Sequence, residues 1–263
     1  MPQTSADSAP APTAADTRAS PWGERVVLSA LVGITLLGGF LRAWRMDDFW
    51  LSADEATYYY STLGDWESAQ ERIRVNAHPP LYYWILFGVA QWNGEIQVLR
   101  WVSLVAGVLC IPATYLLTRS FAGRTAGICA AFLVALSPGG QFLSQVMRPY
   151  TVQLLFLVLA LAGLARYLTT SRTRWLVVCS AGCLLATLVH YSTLIMLAGV
   201  ATCLLGLLLL RRLDARQVRR LFLAGLPTLI GAGWLYFTHI SPTLMGGEVQ
   251  ANARATWLSR GYL

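Results

Sequence analysis

Adjacent carboxylates at Asp54 and Glu55, a histidine held ahead of two prolines at His78, and an arginine at Arg148 are the residues whose types and placing could do chemistry. A carboxylate can take a proton from a hydroxyl or hold a cation. An imidazole titrates near neutral pH and can carry a proton or bind a metal. A guanidinium offers a fork of donors that suits phosphate. The first three residues lie in Asp47–Trp84, the one sizeable polar interruption of an apolar chain, which holds seven of its thirteen carboxylates.

Local pattern gives each candidate two readings. Ser52-Ala53-Asp54-Glu55 fits a capping box, in which Glu55 bonds back to the backbone of Ser52; Glu55 is then a cap or an acid of the site. Asp54 falls in the first helical turn, where the macrodipole favours negative charge. It is a general base, a cation ligand, or helix-start stabilisation. Tyr58 and Tyr59 follow the two acids at i+4 and either stack on a sugar ring or anchor the membrane interface. His78-Pro79-Pro80 forbids helix before Leu81. His78 is thereby fixed beside the acidic loop as a ligand or proton carrier. Asp54 and His78 together are a candidate pair for a divalent metal ion. Arg148 is a phosphate grip or a snorkelling interfacial side chain, and Arg100 is a lesser candidate for the same grip. His190 and His239 fall at helix ends, where a lone histidine finds a backbone partner.

Composition sets what must position these groups. The 263-residue chain is 56% hydrophobic and only 13% charged, about half the charge of a soluble domain. Several apolar runs approach the twenty residues that cross a bilayer as helix. The net charge of +7 comes from Arg alone, without Lys. Most of these Arg sit between apolar runs, as in cytoplasmic loops, so the charge records topology and not nucleic-acid binding. The five Cys lie inside apolar runs and read as small hydrophobes.

The fold expected is all-α and polytopic, with about seven membrane helices. The spans run over 26–43, 98–118, 125–142, 151–168, 175–189, 193–210 and 221–237. Leaving Leu81–Trp92 out as a juxtamembrane helix, with its Tyr and Trp rings at headgroup level, puts every dense Arg cluster on one side. The domain division expected is a disordered cytoplasmic tail over 1–21, a seven-span module over 22–240 with a first outer loop over 44–97, and an extracytoplasmic tail over 241–263. The amino terminus is expected inside, in a plasma (inner) membrane. Asp54, His78, Arg148 and Tyr150 then share the outer face.

The order Asp54-Glu55, HPPLYYW from His78, LRWVS from Leu99, RSFAGR from Arg119 and LSPGGQFLSQVMRPYTVQLLF from Leu136 resembles the glycosyltransferases of the GT-C class. It is most similar to the dolichyl-phosphate-mannose protein mannosyltransferase and aminoarabinose transferase group, over about residues 26–240. The resemblance implies a membrane enzyme of the cell envelope that moves a hexosyl or pentosyl unit from a polyprenyl-phosphate donor to an acceptor glycan, lipid or protein. Asp54 matches the family's catalytic Asp, Glu55 completes its acidic pair, His78 matches the His of the HPP segment, and Arg148 and Tyr150 match its Arg-x-Tyr. Val146 stands where relatives often carry a carboxylate, which removes a ligand from any metal site shared by the two loops. Family members usually continue through more helices; the stretch present here corresponds to the shared seven-span module, and a fragment, a split enzyme and an inactive copy are the alternatives. A non-catalytic scaffold that binds lipid-linked sugar is the alternative. A transporter is disfavoured, because the acids lie in the loop and the spans are almost free of charge.

Overall fold

The computed structural model describes residues 21–241 except 49 and 77. Of the tails expected over 1–21 and 241–263, residues 1–20 and 242–263 lie outside the described residues. Ten α-helices follow one another among them: α1 Pro21–Ala43, α2 Ala53–Ser61, α3 Trp66–Val75, α4 Leu81–Ala90, α5 Ile96–Leu136, α6 Pro138–Gln145, α7 Tyr150–Thr170, α8 Thr173–Val189, α9 Ser192–Leu209 and α10 Ala215–Leu235, with a short π-helix over Tyr236–Ile240. The all-α membrane architecture expected from the apolar runs is present. Among the described residues, five helical stretches are long and apolar enough to cross a membrane: Gly23–Asp48, Ile96–Leu136, Tyr150–Thr170, Ser192–Leu209 and Ala215–Ile240. The seven expected spans differ from these five for two local reasons. The second and third are the two halves of the 41-residue α5, which is interrupted at Gly123 (φ 87°, ψ 179°). Glycine alone adopts that left-handed φ without penalty, so the chain reverses there without a longer loop. The fifth, Thr173–Val189, has only 17 residues.

The third expected span also ends early. Helix stops at Leu136 instead of reaching Phe142, because Ser137 accepts the N–H of Gly140 and Pro138 opens a new helix, α6. Proline is at home in a first turn and disfavours helix in the residue before it. Arg42 seals this junction. It is 1% exposed and donates to the carbonyls of Val134 (2.9 Å) and Ala135 (3.0 Å). These carbonyls lie in the last turn of α5, where the helix's own N–H donors run out; the Ser137 N–H (3.3 Å) and Gln141 Nε2 (3.4 Å) are their other donors. The expected spans, almost free of charge, thus hold two buried arginines, Arg42 and, near the start of α5, Arg100.

Helices α5, α7 and α8 form the middle of the bundle, with α1 against α5 and α10 against α8. The α7–α8 crossing depends on small residues. A Cβ at Gly182 would come within 2.7 Å of the Phe156 carbonyl, and one at Gly163 within 2.8 Å of the Trp175 carbonyl. Backbones meet this closely only without side chains between them. Cys110 is buried as expected, whereas Cys129 and Cys203 are exposed on their helices, and all five thiols are free.

Over one end of the bundle sit α2, α3 and α4. Their core joins Tyr58, Ile73, Tyr82, Tyr83 and Leu86 to Leu99 of α5, Met147 and Val152. Tyr82 and Tyr83 are 0% exposed, which corrects the expectation that the α4 tyrosines lie at headgroup level. The Tyr82 hydroxyl meets Ser103 Oγ at 2.9 Å, so α4 is bolted to α5. Buried aromatic surface of this size is a large part of what holds the cap to the bundle.

Candidate functional site

The two adjacent acids have opposite fates. Ser52 is the N-cap of α2 and the capping box is complete: Ser52 Oγ accepts the Glu55 N–H, and Glu55 Oε2 accepts the Ser52 N–H at 3.1 Å. One helical position apart, Asp54 and Glu55 then point in different directions. Glu55 is 1% exposed, while the Asp54 side chain is 65% exposed.

Glu55 is a cap and more. Its Oε1 accepts Arg100 Nε (3.0 Å) and the Met147 N–H (2.7 Å); its Oε2 also accepts Arg100 Nη2 (3.2 Å). Burial pushes this carboxyl up, but the bonds from Arg100, Met147 and Ser52 outweigh it and hold the group below its usual range. Arg100, expected as a second phosphate grip, is itself 1% exposed and turned inward. Besides Glu55 it donates to the carbonyls of Met46 (3.2 Å) and Trp50 (3.3 Å). The buried pair thus ties α2 and its preceding loop to α5 and to the α6–α7 linker.

That linker carries Arg148. Met147 is 0% exposed and anchors it below. Ser103 Oγ donates to the Arg148 carbonyl (2.9 Å) and accepts the Arg148 N–H (3.3 Å), while Gln145 Nε2 donates to the Trp44 carbonyl (2.9 Å). With its backbone pinned from both sides, Arg148 sends its guanidinium out to Asp54, and the two form an ion pair. The guanidinium also lies over the Tyr150 ring, 5.9 Å from its centroid.

Around this pair the rings form a bowl. His78 lies 5.9 Å from Tyr58 and 5.6 Å from His190, ring centroid to centroid, and His190 lies 5.4 Å from Tyr150. Burial lowers the His78 pKa, and the charge of Arg148 adds to this against the opposing Asp54. Burial and the neighbouring His78 lower that of His190. Both rings are therefore neutral at neutral pH.

Of the residues singled out in the sequence, Asp54, Tyr58, His78, Arg148 and Tyr150 come together. Glu55 and Arg100 lie beneath them as a buried pair. Tyr59 does not join the bowl; its ring contacts Tyr60 at 5.4 Å and packs on the cap core. His190 does join it. Its Nδ1 takes the backbone N–H of Ser192 (3.1 Å), as a lone helix-end histidine should, but its ring also completes the bowl. The one available signal was topological, since its turn falls on the same side as the acidic loop.

A metal ion does not fit the donor set. Among the described residues no three His, Cys, Asp or Glu side chains group as a metal site. The Asp54 carboxylate is engaged by Arg148, and Val146 is buried in the linker. The cation facing Asp54 is a guanidinium.

The fold is similar to that of the Archaeoglobus fulgidus oligosaccharyltransferase, in a crystal structure with a tethered acceptor peptide, at a TM-score of 0.62 and 20% identity. The match covers 88% of this chain and 34% of that one. This chain therefore spans about a third of the length of the solved structure it resembles. No curated protein matches it. The family model of dolichyl-phosphate-mannose-protein mannosyltransferases matches residues 77–240, a stretch that carries His78, Arg100, Arg148, Tyr150 and His190 together with α4 to α10, and the chain belongs to that family.

Proposed function

We propose that the chain is a membrane glycosyltransferase, or the catalytic module of one. It moves a sugar from a polyprenyl-phosphate donor to an acceptor hydroxyl with inversion at the anomeric carbon. The observation that carries this reading is the juxtaposition of the exposed Asp54 carboxylate with Arg148 above a buried scaffold. In the reaction the Arg148 guanidinium binds the donor phosphate. That phosphate competes with Asp54 for the guanidinium and leaves the carboxylate to the acceptor hydroxyl. Asp54 takes the hydroxyl proton as the acceptor oxygen bonds to the anomeric carbon. The carbon–oxygen bond to phosphate breaks, its electron pair goes to the phosphate, and Arg148 stabilises the charge that develops there. One direct displacement inverts the centre.

Burial of Glu55 and Arg100 supports a division of labour: the inner pair holds the geometry and the outer pair does the chemistry. His78 supplies a neutral imidazole to the sugar, whereas Tyr58, expected as a sugar-stacking ring, is 2% exposed, stacks on Tyr83 and backs His78 from within the cap core. Apolar grooves of about 410 Å³ between α7, α8, α9 and α10 and about 430 Å³ between α4, α5 and α7 suit isoprenoid chains.

The site faces the outer side of a plasma membrane, with the amino terminus inside. Supporting this, Arg124 Nη2 pairs with Glu24 Oε1 of α1 at 2.8 Å. The start of α1 therefore lies beside the Gly123 reversal of α5, which Arg119 and Arg124 flank, and positive residues gather on the cytoplasmic side. Purified protein incubated with radiolabelled polyprenyl-phosphate sugar and a membrane extract as acceptor source should release lipid phosphate. Binding of the donor without release would replace this reading with that of a scaffold for lipid-linked sugar.

A further inference from the structure

His190 is a wall of the bowl to which the mechanism above gives no task. It is the residue at which α8 ends, and its surroundings fix its ring. Nδ1 accepts the Ser192 N–H (3.1 Å) and meets Ser192 Oγ at 2.9 Å. Gln153 Nε2 of α7 donates to Ser192 Oγ (2.8 Å) and Thr193 Oγ1 (2.9 Å), and Thr193 Oγ1 donates to the Ala186 carbonyl (2.8 Å). Three helices thus hold one tight turn. An Nδ1 that accepts a backbone N–H leaves the proton of the neutral ring on Nε2. That Nε2–H has no hydrogen-bond partner among the described residues. The ring sits 5.4 Å from Tyr150, the same ring that Arg148 covers at 5.9 Å. Arg148 and His190 are therefore both neighbours of one ring, that of Tyr150.

We propose that His190 is a further binding residue of this site: its Nε2–H donates to a phosphate oxygen while the other oxygens take the Arg148 fork. The ligand class is an alkyl phosphate, and the identification with a donor rests on the polyprenyl-phosphate reading above. The Gln153–Ser192–Thr193 network supplies the fixed orientation that a useful donor needs. Hydrogen bonds to charged groups are about twice as strong as neutral ones, so loss of this donor should weaken phosphate binding about ten-fold or more.

The test uses the full chain in detergent with three probes: farnesyl phosphate, farnesol and inorganic phosphate. His190→Asn keeps an acceptor near Nδ1 for the Ser192 N–H and removes the Nε2 donor. His190→Gln carries an amide N–H close to the Nε2 position. Wild type should bind farnesyl phosphate in preference to both controls. H190N should lose about ten-fold or more with its melting curve unchanged, and H190Q should recover most of the loss. Equal binding of farnesyl phosphate by wild type and H190N overturns the proposal, as does an H190Q that folds but stays as weak as H190N. Preference for farnesol or for inorganic phosphate also overturns it, the first by removing the anion and the second by removing the lipid. If wild type releases lipid phosphate from the sugar donor while H190N binds normally, the role of His190 fails and the proposed function stands.

Discussion

Replacing Glu55 by Ala should cost more stability than replacing any other acid of the cap. The carboxylate is 1% exposed and takes at least two donors on each oxygen: Arg100 Nε and the Met147 N–H on Oε1, and Arg100 Nη2, the Ser52 N–H and the Ser52 hydroxyl on Oε2. Its removal leaves the Arg100 guanidinium buried without its counter-charge. Breaking a buried pair from one side costs about 3–5 kcal/mol, which for a chain of this size is a fall in melting temperature on the order of 10 °C. Glu55→Gln should rescue little. Whichever way the amide turns, its NH₂ replaces an oxygen that accepts two donors, and donor meets donor. Glu55→Leu with Arg100→Met removes both charges and should recover much of the loss. The neighbouring Asp54 is the control. Its pair with Arg148 is exposed on the carboxylate side, and such pairs contribute about 1 kcal/mol or less. Tryptophan-fluorescence melting in detergent separates the cases. A Glu55→Ala protein that melts within a degree of wild type would refute the scaffold role of the inner pair.

Acidification should destabilise the protein. His78 and His190 have folded pKa values below the unfolded value near 6.5, so the unfolded state binds more protons and stability falls as pH drops through 6.5. Glu55, held low in the fold, adds a further loss at lower pH. Melting temperatures that stay flat from pH 8 to 5 would contradict the direction given for the two histidines. Gly182→Ala should destabilise by about 1–3 kcal/mol, since the new methyl would meet the Phe156 carbonyl at 2.7 Å, whereas Gly199→Ala, with open space around it, should be neutral or slightly stabilising; equal melting shifts would remove the close-crossing account of α7 and α8.

What could be read in the sequence was what lies close along it. Apolar run lengths announced the membrane helices, and Ser52 and Glu55, three residues apart, announced a helix start. Pro79 and Pro80 announced the start of α4. The capping box was legible because both of its partners sit in one turn. The second use of Glu55 was not, because Arg100 is 45 residues away and Met147 is 92 residues away. Nothing local distinguishes an arginine that faces phosphate from one that fills a buried ion pair. Arg100 and Arg148 could have exchanged roles until the linker was seen to be pinned by Ser103. Tyr82 and Tyr83 carry the composition of an interface and the burial of a core. Their environment comes from α2, which folds over them. His190 has no motif around it, and only the α7–α8–α9 turn brings it to His78 and Tyr150. Gly123 and Ser137-Pro138 were visible as punctuation, yet their effect on span length depends on how the helices on either side pack.

The central claim is that Asp54 is the base and not part of the donor site. Asp54→Asn leaves the Arg148 fork available for phosphate and removes the proton acceptor. Donor binding and lipid-phosphate release should be measured on the same preparation of this variant. The account predicts normal melting, binding of the polyprenyl-phosphate sugar within a few-fold of wild type, and no detectable release. Release at the wild-type rate from Asp54→Asn would contradict it.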